Sequence, residues 1–211
     1  MIFIKVLLVS SSTKQNSSTR RAVDEAEKEF RKLGIDADIF ELGNSAIFSC
    51  NGCGYCKKSG KCIYNDKASE LTELLENYEG FIFFTPVHYG GASGNMISLL
   101  GRIFYSQKKA LDYKPASVIT VSRRGGNLTA FEEITRFLTF SSMPIVTGNY
   151  PGIIHGTTYD EVSRDYEGLQ TIRAICNNMA WLMASIRNAD ECGITRPISE
   201  EKIRTNYIAP N

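Results

Sequence analysis

The sequence predicts an α/β domain built on a doubly wound, five-stranded parallel sheet with helices on both faces, and three observations carry that expectation. Short runs of β-branched and large apolar residues alternate with longer amphipathic stretches, the pattern of a parallel sheet flanked by helices. The run GFIFF at 80–84 is apolar throughout, as a strand buried on both faces must be. With 211 residues the chain suits one domain that buries a continuous core.

Residues 2–9 form the first strand, being mostly β-branched or large apolar. Ala22, Ala26, Phe30 and Leu33 then recur at spacings of three and four, which predicts a helix over 19–33 that Gly34 ends. A second strand covers 36–42, and a cysteine-rich loop at 50–62 is inserted after it. Leu71, Leu74 and Leu75 share one side of a helix over about 67–78, and the third strand starts at Gly80. Further on, 94–107 reads as a helix, 116–122 as the fourth strand, 128–141 as a helix and 143–150 as the fifth strand. Leu169, Ile172, Ile175, Met179 and Leu182 give the stretch 160–188 a broad apolar face, suited to covering the sheet or packing in a dimer. The domain is thus expected over 1–188, with a tail at 189–211 packing on it or on a neighbouring subunit. Five strands in this order fit a flavodoxin-like arrangement, in which ligands sit beyond the carboxyl ends of the strands.

Charge excludes some partners. With 24 Lys and Arg against 23 Asp and Glu the net charge is +1, so no basic field recommends nucleic acid or an anionic membrane. No stretch approaches the roughly 18 apolar residues of a membrane helix. The apolar start, MIFIKVLLV, has no basic leader and reads as a buried strand, so a reducing cytoplasm is the expected compartment. Six cysteines there favour metal or redox use over disulfides.

Three loops follow strand ends and should converge on one crevice. Ser10 to Thr19 is rich in hydroxyls and amides at a helix start, where unpaired N–H groups and the helix dipole hold a phosphate. Neither GxxxxGK[ST] nor GxGxxG is present, which favours a monophosphate such as that of FMN over a dinucleotide or triphosphate. An ordinary helix cap is the plain alternative. The second loop runs from Thr85 to Asn95: Pro86 ends the strand, Gly90 and Gly91 admit a flat ligand, and Tyr89 offers a ring to stack or border it. The third, Ser122 to Asn127, sets Arg123 and Arg124 before Gly125 and Gly126, placing fixed positive charge beside close-approach backbone.

Cys50, Cys53, Cys56 and Cys62 follow the spacing CxxCxxCx5C, which suits zinc or an iron-sulfur cluster because short spacers wrap the backbone round one centre. Free or redox-sensing thiols are the other option. Cys176 lies in an apolar helical stretch as a core residue, and Cys192 has no partner in view.

Together these segments resemble the NAD(P)H-dependent FMN reductase and iron-sulfur flavoprotein group of the flavodoxin-like superfamily. Residues 11–19, SSTKQNSST, resemble that group's phosphate loop GSPRxNGNT, with Ser12, Lys14, Asn16 and Thr19 retained in kind. Ser11, Thr13 and Ser17 depart from its glycine, proline and second glycine. Residues 85–96 resemble the flavin-ring loop, and RRGG at 123–126, MPIV at 143–146, HG at 155–156 and TNYI at 205–208 extend the similarity along the chain. Gly101 stands where the family often has an acid before Arg102.

The resemblance implies a flavin-dependent oxidoreductase. Ser10, Ser12, Lys14, Asn16, Ser18 and Thr19 would hold the FMN phosphate; Pro86, Val87, His88, Tyr89 and Gly90 would border ribityl and ring; Ser122, Arg123, Arg124, Gly125, Gly126 and Asn127 would polarise the pyrimidine side. It further implies a [4Fe-4S] cluster on Cys50, Cys53, Cys56 and Cys62, with Lys57, Lys58 and Lys61 offsetting its charge. The flavin carries the chemistry, so no protein acid, base or nucleophile is required. The implied partners are NAD(P)H or a ferredoxin-like donor, a small acceptor such as a quinone, flavin or oxygen species, and a second or further copy in a homodimer or homotetramer. The alternative reading is an electron-transfer protein that receives electrons through the cluster and binds no nicotinamide.

Overall fold

The computed structural model describes residues 4–198, 200, 201 and 203. Residues 2 and 3 of the expected first strand, and 205–208 of the closing similarity, lie outside them. The chain alternates as expected. Strand β1 (Lys5–Ser10) leads to α1 (Ser18–Lys32), then β2 (Asp36–Glu41). The cysteine segment carries a short α2 (Tyr55–Ser59), followed by α3 (Lys67–Leu74). Next come β3 (Gly80–His88), the two-residue β4 (Gly91–Ala92), α4 (Gly94–Ser106), α5 (Lys108–Leu111) and β5 (Ala116–Ser122). The chain continues through α6 (Asn127–Thr139), β6 (Gly152–His155), α7 (Tyr159–Val162) and α8 (Tyr166–Glu191).

The long strands lie in the order β2-β1-β3-β5-β6, and every neighbouring pair among them is parallel. This is the doubly wound order with its switch point between β1 and β3. Side-chain alternation divides the core in two. Leu7, Val9, Phe81 and Phe83 face one way, against Leu71, Met96, Leu99, Ile103, Ile134 and Leu138 of α3, α4 and α6. Val6, Leu8, Ile82 and Phe84 face the other, against Ala22, Ala26 and Phe30 of α1 and Ile172, Ile175 and Met179 of α8.

Four boundaries differ from expectation. The fifth strand is Gly152–His155, not 143–150. Pro144 lacks the N–H a ladder needs, so the apolar run reaches β5 through a single bridge, Ile145 to Ala116. The chain then passes Gly148 before β6 starts at Gly152, where a Cβ would lie 2.1 Å from the Val118 carbonyl oxygen. The helix expected to Tyr78 stays α-helical to Leu74 and tightens into a 3-10 turn over Leu75–Asn77. The stretch at 160–188 is two helices: Asp165 accepts the Gly168 N–H as the cap of α8, which separates it from α7. Helix α8 runs on to Glu191, past the expected boundary at 188. No helix of the described residues is long and apolar enough to cross a membrane.

Candidate functional site

The three loops leave the carboxyl ends of β1, β3 and β5, and two sets of contacts bind them together. The first is a hydroxyl network at the switch point. Ser11 donates its N–H to the Phe84 carbonyl at 3.0 Å, extending the β1–β3 pairing by one residue. The Ser93 hydroxyl donates to Ser11 Oγ at 2.7 Å, its N–H donates to Thr85 Oγ1 at 3.0 Å, and the Ser11 hydroxyl reaches Thr85 Oγ1 at 3.2 Å. Ser93 also caps α4, accepting from the Met96 N–H. The second set joins the other two loops. A Cβ on Gly126, whose φ is +87°, would sit 2.6 Å from Gly90 Cα and 2.9 Å from Val87 Cγ1. Only glycine lets the third loop lie this close on the second. Glu133 of α6 accepts the Ala92 N–H at 2.7 Å and steadies the same corner.

The phosphate loop is shaped by its own side chains. Ser10 is buried and its Oγ accepts the Ser12 N–H at 3.3 Å. The Ser12 hydroxyl donates to the Lys14 carbonyl at 3.1 Å and meets Ser17 Oγ at 2.6 Å. Ser17 is the cap of α1, accepting the Arg20 N–H. Lys14 and Asn16 project from the surface, Ser18 is half-buried in the first turn of α1, and Thr19 points into the body of the fold. Lys14, the Asn16 amide and the start of a 15-residue helix suit a phosphate by charge and dipole. Arg20 beside them is bound at 2.6 Å by Asp24 and at 2.7 Å by Glu41, so its charge is already matched.

The second loop turns tightly. His88 pairs with Gly91 across β3 and β4, leaving Tyr89 (φ +50°) and Gly90 (φ +84°) as a two-residue turn with both residues left-handed. Such a conformation is costly for a tyrosine. Its ring stands fully exposed, with Pro86 and Val87 half-buried beneath. In the third loop Arg123, Arg124 and Gly125 are exposed. Ser122 and Asn127 are not: the Ser122 hydroxyl donates to Asn127 Oδ1, and Asn127 Nδ2 donates to the Thr120 and Ile154 carbonyls at 3.1 and 3.2 Å. Their side chains tie β5 to β6 beneath the loop. An exposed ring, glycine backbone and two arginines fit a flat, electron-rich ligand.

The cysteine segment lies against α4 and the residue that follows it. Ser49 meets Ser98 at 2.9 Å and Gln107 donates to the Gly60 carbonyl at 2.7 Å. Left-handed Gly54 and Gly60 bracket α2. Cys50, Cys53, Cys56 and Cys62 all line one small concavity of about 20 Å³, together with Tyr64, Arg102 and Tyr105. By donor type four thiols suit a thiophilic metal or an iron-sulfur cluster, but their spacing does not. Among the described residues no three His, Cys, Asp or Glu side chains are gathered closely enough to hold a metal ion. Lys57 lies over the Tyr105 ring at 5.4 Å, and exposed Lys61 pairs with Glu73 at 3.1 Å. Cys176 is buried, which pushes its thiol pKa up, and Cys192 is exposed at the end of α8.

Arg102, one of the wall residues, is almost wholly buried. Its Nη1 binds Asp66, and Nη2 donates to the Tyr64 carbonyl at 3.1 Å and Ser69 Oγ at 3.3 Å. Burial opposes its charge, but the Asp66 carboxylate and the neighbouring Cys62 outweigh that and hold its pKa above the ordinary value. Ser11, Ser93, Glu133, Asp66 and Arg102 were absent from the set read off the sequence. Ser93 alone carried a signal, as a serine opening a helical run.

A parallel sheet in this order, with three such loops meeting at the carboxyl ends, defines a flavodoxin-like domain. The chain belongs to the NADPH-dependent FMN reductase family, whose sequence profile matches residues 4–158. That family places it among the flavin-dependent oxidoreductases. It is 27% identical over 195 residues to an iron-sulfur flavoprotein of Methanocaldococcus jannaschii, covering 87% of this chain and 100% of the relative. A second iron-sulfur flavoprotein of that organism is 30% identical over 187 residues, covering 82% and 94%. An iron-sulfur flavoprotein of Archaeoglobus fulgidus is 26% identical over 184 residues, covering 82% and 94%. Among solved structures, RosB with a bound riboflavin-phosphate intermediate superposes with a TM-score of 0.69 at 15% identity over 99% of this chain and 93% of that one. A WrbA-like flavodoxin from Agrobacterium tumefaciens gives 0.62 at 14% identity over 86% and 98%. These structures share the fold.

Proposed function

We propose that the protein is an FMN-dependent oxidoreductase that takes electrons from NAD(P)H or a reduced carrier and passes them to a small acceptor such as a quinone, free flavin or oxygen species. The observation that carries this reading is the joining of the three loops, by the Ser11–Thr85–Ser93 hydroxyls on one side and the Gly126–Gly90 contact on the other. FMN, when bound, supplies both hydride and single-electron chemistry. Lys14, Asn16, Ser12, Ser18 and the start of α1 hold its phosphate. Pro86, Val87, His88, Tyr89 and Gly90 border ribityl and ring. Arg123 and Arg124 set positive charge beside the pyrimidine edge, and Ser10, Thr19, Ser122 and Asn127 shape the loops from below.

In this reading the four cysteines would hold a [4Fe-4S] cluster, which would supply single-electron exchange with a ferredoxin-like carrier. The names of the relatives support it, as does the shared concavity. Helix α4 joins the two places: Ser98, which meets Ser49, is four residues from Gly94, about 6 Å along the helix axis. A reductase whose cysteines remain thiols is the second reading, favoured by the absence of a ready ligand set among the described residues. The protein acts in a reducing cytoplasm as a homodimer or homotetramer, with exposed Trp181 and Tyr166 of α8 and Tyr89 suited to a subunit contact.

Anaerobic purification followed by FMN titration, iron and sulfide analysis, and reduction by NADH, NADPH and dithionite tests these readings together. Bound FMN with four iron and four sulfide per chain is the expected result. Protein that binds no FMN overturns the proposal; flavin without iron, reduced by NAD(P)H, selects the second reading.

A further inference from the structure

We infer that the surface shared by the cysteine segment and helix α5 is the docking face for a small acidic carrier protein. This rests on the reading above, in which a reduced carrier gives up electrons that bound FMN takes up. The first ground is charge segregation. The chain carries 23 Asp and Glu, yet none lies between Glu41 and Asp66 or between Glu79 and Asp112. The first stretch holds the cysteine segment, and the second holds α4 and α5. Folding brings the two together. Asn95 Nδ2 donates to the Ser45 carbonyl at 3.2 Å, Ser49 meets Ser98 at 2.9 Å, and Gln107 Nε2 donates to the Gly60 carbonyl at 2.7 Å. Lys57, Lys58, Lys108 and Lys109 are exposed on the joined segments. Asp66 cancels Arg102 and Glu73 pairs with Lys61, whereas among the described residues no carboxylate pairs with those four lysines. In a chain of net charge +1 this is a local excess of positive charge.

The second ground is what lies among the lysines. Tyr55, Ile63 and Tyr105 stand about half exposed, and Lys57 Nζ lies 5.4 Å from the centre of the Tyr105 ring. Exposed Phe48 stacks on Tyr64 at 5.0 Å. Apolar and aromatic anchors inside a charged rim are the make-up of a protein contact. Nucleic acid and anionic membranes draw on a wide basic field, which the chain lacks. A second copy meeting this face about a two-fold axis would set lysine against lysine. The third ground is reach. The second loop, with exposed His88 and Tyr89, belongs to the same acid-free stretch. Helix α4 spans about 20 Å from that loop to α5. A carrier of about 100 residues has a radius of gyration of about 13 Å, so one seated on the lysines also touches the mouth of the crevice. Contact of this kind needs no metal at the thiols.

The test measures, by isothermal titration calorimetry at low and at raised salt, the affinity of FMN-loaded protein for a purified acidic ferredoxin. Three forms are compared: wild type, Lys58→Glu with Lys108→Glu, and Lys5→Glu with Lys28→Glu. Lys5 and Lys28 are exposed at the start of β1 and on α1, away from this face. Both pairs change the net charge equally, so the second controls for overall charge. Wild type is expected to bind, and to bind less tightly as salt screens the lysines. The Lys58 and Lys108 reversals are expected to weaken binding by about tenfold at low salt, with the control pair close to wild type. Equal affinities in the two pairs, or wild type that does not bind the ferredoxin at low salt, overturn the inference. Wild type that binds phosphatidylserine vesicles more tightly than ferredoxin, with the same loss in the Lys58 and Lys108 variant, assigns the face to a membrane and overturns it too. Flavin absorbance is read separately: protein that takes up no FMN overturns the function proposed above, whatever the ferredoxin affinities.

Discussion

Replacing Gly126 by alanine tests the joining of the loops directly. Two costs are visible at that position. The φ of +87° puts an L-residue in the left-handed region, which costs about 1–2 kcal/mol. The added Cβ would also lie 2.6 Å from Gly90 Cα, a backbone atom that cannot swing aside. Forced overpacking of this kind costs about 1–3 kcal/mol. Gly34→Ala is the matched control, because its φ of +70° carries the first cost while nothing lies within 4 Å of its Cβ. At about 2–4 °C per kcal/mol for a chain of this size, Gly34→Ala should lower Tm by about 2–8 °C, and Gly126→Ala by more. The loops can also relieve the clash by parting, in which case FMN affinity falls about tenfold for each 1.4 kcal/mol. Thermal melts of the apoprotein and FMN titrations by flavin fluorescence, run on both variants, separate the two outcomes. A Gly126→Ala protein that melts with Gly34→Ala and binds FMN as wild type does would refute the idea that the Gly126–Gly90 contact builds the site.

Three further outcomes are expected. Ser93→Ala removes a helix cap and the hydroxyl joining Ser11 to Thr85, so Tm should fall by the equivalent of about 1–2 kcal/mol, with weaker FMN binding in the same titration. Glu25 is buried, which alone would raise its pKa, but Arg173 and Arg21 hold it below the ordinary carboxylate value. Its depressed folded pKa gives stability that is present above its unfolded value and lost as pH falls through the folded one; a Glu25→Gln protein should show a flatter acid limb below about pH 4.5 in urea melts. Burial and the bond to Asp38 push the Tyr78 phenol up to about 12, so its stabilisation is full below the unfolded value near 10 and fades towards 12. Tyr78→Phe should remove about 1 kcal/mol at neutral pH and lessen the loss between pH 10 and 12.

Strands β1, β3 and β5 were legible because each is a dense apolar run whose alternate residues serve the two core faces. The error at 143–150 has a local cause that composition conceals: apolarity survives there, but Pro144 removes a donor, and the ladder resumes only at Gly152. The site was legible as loops and not as contacts. Serine, glycine and arginine at strand ends announce a ligand crevice, whereas Ser11 and Ser93 are 82 positions apart and become partners only once β1 and β3 are adjacent. Ser122 and Asn127 show the opposite limit. Polar residues at a strand end suggest exposure, and here they satisfy each other between β5 and β6. Arg102 was noticed only for the glycine before it, since its meaning depends on Asp66, far away in sequence and joined to it by folding alone.

Helix α4 begins at the Ser93 cap and carries Arg102 two turns later. One helix thus has its first turn beside the hydroxyl network and its third beside the cysteine concavity. For FMN and a metal centre held as proposed, any factor by which one changes the affinity for the other is the same in both directions.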